Sequence, residues 1–116
     1  MKKYVVVLML LSMAVAMPAY GGQYYCTGQV TFLAVHQGGI VEVAGPGNVT
    51  YVHVCQLGVT ANGWNPDSCK TAYATLLAAK LSGQPVNLIF FDNLTCTTQP
   101  AYSDSTESTI MWVGPA

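Results

Sequence analysis

The sequence predicts a mainly β domain with one α-helix, in the order βββαββ, closed by two disulfides. Three observations lead there. Short runs rich in Val, Thr, Ile and Phe are separated by glycine and proline turns. One segment alone has helical periodicity together with a helix start signal. Four cysteines, an even number, sit in a small chain where disulfide closures add usefully to a modest core.

The chain opens with a basic head, Met1-Lys2-Lys3, an apolar stretch from Tyr4 to Met17 broken only by Ser12, and a small-residue exit at Pro18-Ala19-Tyr20-Gly21-Gly22. That is the layout of a cleaved signal peptide. The apolar stretch is about 14 residues, short of the roughly 20 that span a bilayer as a helix, so no membrane anchor is expected. The division that follows is a signal peptide over 1–21 and a single domain over 22–116, secreted or periplasmic. Cys26 stands too far from the exit to carry a lipid.

Without the leader the chain keeps two cations, Lys70 and Lys80, and no arginine, against Glu42, Asp67, Asp92, Asp104 and Glu107, a formal charge of −3. A nucleic-acid binder needs clustered cations for the phosphates, so that class is excluded. A surface solvated by Ser, Thr, Asn, Gln and Gly suits polar, uncharged or anionic partners, a sugar among them.

Gln29 to Val35 alternates as a first strand, Gly38-Gly39 makes a turn, and Ile40 to Ala44 returns as a second. Gly45-Pro46-Gly47-Asn48 turns again into a third strand, Val49 to Leu57. After a polar loop, Asn65-Pro66-Asp67-Ser68 starts a helix: Asn caps, Pro fits the first turn, and Asp complements the dipole. The helix runs to about Ser82, with Cys69, Tyr73, Leu76, Leu77 and Leu81 at three- and four-residue steps and Gly83 as its stop. Pro85 to Phe91 is an apolar fourth strand and Thr109 to Val113 a short fifth.

Five strands with a helix between the third and fourth is the order of an OB-fold-like Greek-key barrel, a scaffold that binds oligosaccharides and oligonucleotides. The cysteines read as two disulfides rather than a zinc site, because no close C-x-x-C pair occurs. Three pairings are possible until a fold is assumed. In this one the first and fourth strands run antiparallel, which brings Cys26 to Cys96 and leaves Cys55, ending the third strand, to meet Cys69 in the first turn of the helix.

Gly28-Gln29-Val30 opening the meander, His53-Val54-Cys55 ending the third strand, Cys69, Leu81-Ser82-Gly83 closing the helix and Gln84-Pro85-Val86 entering the next strand together resemble B subunits of bacterial AB5 toxins of the subtilase-cytotoxin and typhoid-toxin (pertussis-like) type. The resemblance covers Gly28 to Phe91. It implies an OB-fold lectin that forms a pentameric ring, binds sialylated or related cell-surface glycans and carries an enzymatic A subunit. The C-terminal cysteine pattern departs from that family, and none of its sugar-binding residues is carried over.

A sugar site needs an aromatic plate for the ring and short polar side chains for its hydroxyls. Trp64, in a loop before the helix, either contacts ligand or staples the core, with Asn65 beside it. Tyr24 and Tyr25 either cover the Cys26 disulfide or face a ligand, and Tyr102 lies in a polar loop; Trp112 reads as core or subunit interface. The candidate ligand residues are therefore Trp64, Asn65, Tyr102 and Tyr25. No catalytic residue, metal ligand or cofactor is expected. His53 lies mid-strand among valines, His36 beside a turn, the carboxylates are dispersed, and neither G-x-S-x-G nor H-E-x-x-H occurs. Two functions remain: a secreted glycan-binding subunit that forms a homo-oligomer, or a secreted or periplasmic protein-binding module such as an inhibitor or envelope accessory.

Overall fold

The computed structural model describes residues 22–61, 63–100 and 110–116. The leader assigned to 1–21 lies outside them, as do Tyr102 and most of the polar segment that precedes the last strand.

Among the described residues six strands and one α-helix follow in order: β1 Gln23–Gln29, β2 Phe32–Val35, β3 Ile40–Ala44, β4 Val52–Gln56, α1 Pro66–Ser82, β5 Pro85–Phe91 and β6 Ile110–Pro115, with a single 3-10 turn at Pro46–Asn48 between β3 and β4. They form two three-stranded antiparallel sheets, β1-β5-β6 and β2-β3-β4. This corrects the expected count of five strands in one barrel. The segment read as one strand from Gln29 to Val35 divides at Val30-Thr31, and its halves belong to different sheets.

A close approach of backbone explains the division. Thr31 N–H leaves the first sheet and donates to Ala44 O at 3.0 Å. At Gly45, with φ 118°, a Cβ would stand 2.7 Å from Thr31 N and collide with Gln29 O. Only glycine allows the chain to pass there. The third expected strand is also shorter than Val49 to Leu57. Asn48 and Tyr51 hold left-handed backbone, φ 65° and 46°, which no strand accommodates, so β4 begins at Val52.

The core lies between the sheets and under the helix, and Phe90, Leu88, Leu76, Val41, Val43, Val54 and Val86 are fully buried in it. Along β5, Val86, Leu88 and Phe90 point inward while Asn87, Ile89 and Phe91 do not. The continuous apolar run is thus an alternating strand, whose buried large residues each contribute about 2 kcal/mol. Helix α1 buries Cys69, Ala72, Leu76 and Ala79. That face differs from the leucine-lined one expected: Leu81 is 80% exposed, because the alanines let the helix lie close to the sheets.

Both disulfides form as the strand order required, Cys26–Cys96 and Cys55–Cys69. They close spans of 70 and 14 residues, which the chain-entropy relation converts to about 4 and about 3 kcal/mol. Such staples fit an oxidising, non-cytoplasmic setting. Among the described residues no helix is long and apolar enough to cross a membrane.

Candidate functional site

Helix α1 and the edge strand β6 enclose a cleft of about 420 Å³ lined by Trp64, Asp67, Ser68, Thr71, Thr75 and Trp112, with Ala72, Met111 and Val113 completing it. Its helical wall is fixed from the first turn. Asn65 Oδ1 accepts from Ser68 N–H at 2.8 Å, Pro66 occupies the first turn, and Cys69 ties that turn to β4. Asp67, Thr71 and Thr75 recur every four residues and so share one face. The Thr71 hydroxyl donates to Asp67 O at 3.1 Å and the Thr75 hydroxyl to Thr71 O at 2.9 Å. With their protons engaged, both oxygens retain lone pairs to accept from a ligand.

The aromatic walls are equally constrained. Trp64 packs partly against the core, and its Nε1–H donates to Ile110 O at 2.8 Å, so core staple and cleft wall are one residue. Trp112 is 42% exposed. Its indole lies against Gly114, where any Cβ would run into the ring.

Strand register connects this cleft to Tyr25. Tyr25 pairs with Ile89 and Ile89 with Trp112, which sets the three in one row across the sheet, with Tyr25 and Trp112 roughly 10 Å apart. Tyr25 is 59% exposed. Beside the row, Thr27 Oγ1 donates to Asn87 Oδ1 on the neighbouring rung.

Tyr25 also borders a second cleft, of about 430 Å³, with Gln23, Tyr24, Asp92, Asn93, Leu94 and Cys96. Tyr24 turns inward there and stacks on Phe90, centroids 5.4 Å apart. Its hydroxyl donates to Asp92 Oδ1 at 2.6 Å, and Gln99 Nε2 donates to Asp92 Oδ2 at 2.9 Å and to the Tyr24 oxygen. Burial first, then the bond to Asp92, push the Tyr24 phenol above its usual pKa, and the Gln99 amide opposes them.

Of the four residues singled out from sequence, Trp64 lines the first cleft and Tyr25 the second. Asn65 is exposed but is spent on the helix cap, and Tyr102 lies outside the described residues. Sequence reasoning missed Thr71 and Thr75, whose spacing with Asp67 was a visible polar stripe, and gave Trp112 to core or interface. It also read His53 as a mid-strand residue, His36 as a turn residue and the carboxylates as dispersed. In the fold, His36 Nε2 lies 2.9 Å and His53 Nε2 3.5 Å from the Glu42 carboxylate. Comparisons with protein-family models, curated proteins and solved structures find no match to this chain.

Proposed function

We propose that the protein is a secreted, lectin-like subunit on an OB-fold-like scaffold, resembling B subunits of AB5 toxins, that recognises cell-surface oligosaccharide and works without catalysis. The observation that carries the reading is the cleft in which Trp64 and Trp112 face a helical row of Asp67, Ser68, Thr71 and Thr75. Indole faces stack on the C–H face of a pyranose, while hydroxyl and carboxylate oxygens accept from its hydroxyls. Neither lysine of the domain lines the cleft, and Asp67 is its charged group. Neutral sugars therefore suit it better than sialylated ones, a departure from what the resemblance implies.

The same reading includes a homo-oligomer, a pentamer by resemblance, and a possible enzymatic A subunit. Tyr25, Phe91, Met111 and Trp112 all expose large apolar surface on or beside β1-β5-β6, which supports a protein contact on that sheet. The same exposure favours the second reading, a protein-binding module such as an inhibitor or envelope accessory.

A glycan array probed with the disulfide-intact protein, together with light scattering, tests the proposal. The expected result is a ring-sized particle that binds neutral oligosaccharides, with Trp112→Ala weakening binding at least about tenfold, or ~1.4 kcal/mol. A monomer silent on the array would reject it in favour of the protein-binding reading.

A further inference from the structure

The geometry points to a binding site for a single first-row divalent cation, with Zn²⁺ as its best match, made by His36, Glu42 and His53 on the β2-β3-β4 sheet. This inference does not depend on the glycan reading, since it concerns the other sheet and other residues.

Backbone register creates the cluster. Val41 and Val43 are fully buried in the core, so Glu42 between them must face the opposite side of β3. On β4 the pairing moves from Val41–Cys55 to Glu42–His53 across an irregularity. The extra residue, Val54, lets Val54 and Cys55 both reach the core while His53 is aimed across the strand at Glu42. His36 follows β2, and its N–H donates to Ile40 O at 2.9 Å, which leads its ring over the same carboxylate from the other flank.

The charge at the centre is the unusual feature. Glu42 is 4% exposed, and a buried carboxylate is costly unless a positive group compensates it. Neither lysine does so: among the described residues the ion pairs of Glu42 are with His36 and His53, and Lys80 Nζ lies 3.3 Å from Thr31 O. Among the described residues no group donates a hydrogen bond to Glu42 Oε1, and His53 Nε2 stands 3.5 Å from it.

The donor set fits a metal in number, type and spacing. One atom from each residue can be chosen so that all three lie within 4.8 Å of one another. Metal–ligand bonds of about 2.0–2.2 Å place tetrahedral donors roughly 3.3 Å apart; His36 Nε2 stands 2.9 Å from Glu42 Oε2 and His53 Nε2 3.5 Å from Glu42 Oε1, so each carboxylate oxygen has an imidazole nitrogen near that spacing. Two imidazoles and one carboxylate suit zinc and its neighbours rather than calcium or magnesium, which take all-oxygen shells. All four cysteines are consumed by disulfides, so thiolates do not compete. Three protein ligands leave a fourth position for water or a further ligand, and His36 and Glu42 also border a cleft with Phe32, Val35 and Tyr51. The aromatic pair there meets edge to face, centroids 4.9 Å apart.

Titration calorimetry of Zn²⁺ into the untagged, disulfide-intact chain tests the site, with Co²⁺ absorption as a second readout. One ion per chain is expected, and His36→Ala, His53→Ala and Glu42→Gln should each weaken it by at least about tenfold and abolish the intense visible Co²⁺ bands. His36 is partly exposed, so its alanine variant should keep the wild-type circular dichroism and separate loss of a ligand from loss of fold. Absence of saturable binding to the wild type, or equal affinity in the His36→Ala/His53→Ala double variant, overturns the proposal.

Discussion

Tyr24 shows how a residue in the wall of a cleft acquires a measurable signature. Its ring lies on Phe90 and its hydroxyl on Asp92, and the protonated phenol is what the fold stabilises, since burial and the carboxylate both oppose a negative oxygen. The folded pKa is raised above the ordinary value of about 10, so the stabilisation is present in full below that pH and is lost as pH climbs through the folded value. Urea midpoints compared at about pH 8 and about pH 11 should therefore fall more for the wild type than for Tyr24→Phe, which keeps the ring stack. Equal slopes would place the stabilisation elsewhere. The sequence signalled only that two tyrosines stood beside Cys26. Which one turned inward depended on Asp92, 68 residues away.

At the scale of elements, α1 was the most legible because its signals are local. Asn65 caps, Pro66 opens, Asp67 complements the dipole and Gly83, at φ 70°, closes the helix. Asn65→Ala should cost about 1 kcal/mol in chemical denaturation through loss of the cap. It should leave sugar binding largely intact, because Asn65 lies outside the cleft's lining. The helix's buried face was less legible, since alanines hold it against the sheets while Leu81 faces solvent. The strands misled where tertiary geometry governs. The break at Val30-Thr31 depends on Gly45, distant in sequence, and the meeting of His36, Glu42 and His53 depends on the irregular pairing of β4 with β3. No periodicity within one strand reveals a cross-strand cluster.

For the molecule as a whole, the cysteines were the strongest guide. Once the helix was placed between the third and fourth expected strands, the pairing followed, and the fold has it. Replacing both Cys26 and Cys96 by alanine should lower stability by about 4 kcal/mol in reversible urea unfolding, against about 3 for the Cys55/Cys69 pair, because the first closes the longer span. A larger loss from the shorter bridge would mean that its hold on the helix start, rather than chain entropy, dominates.

Those staples are unevenly distributed along the chain, since the last of the four cysteines is Cys96 and β6 lies beyond it. The final strand has no covalent bridge to the rest; Ile110 seats it in the core, β5 pairs with it and the Trp64 indole grips its first carbonyl. A cut between Cys96 and Ile110 would therefore leave β6 held by these non-covalent contacts alone. The protein is in that sense a stapled body closed by an unstapled strand, and that strand carries Trp112.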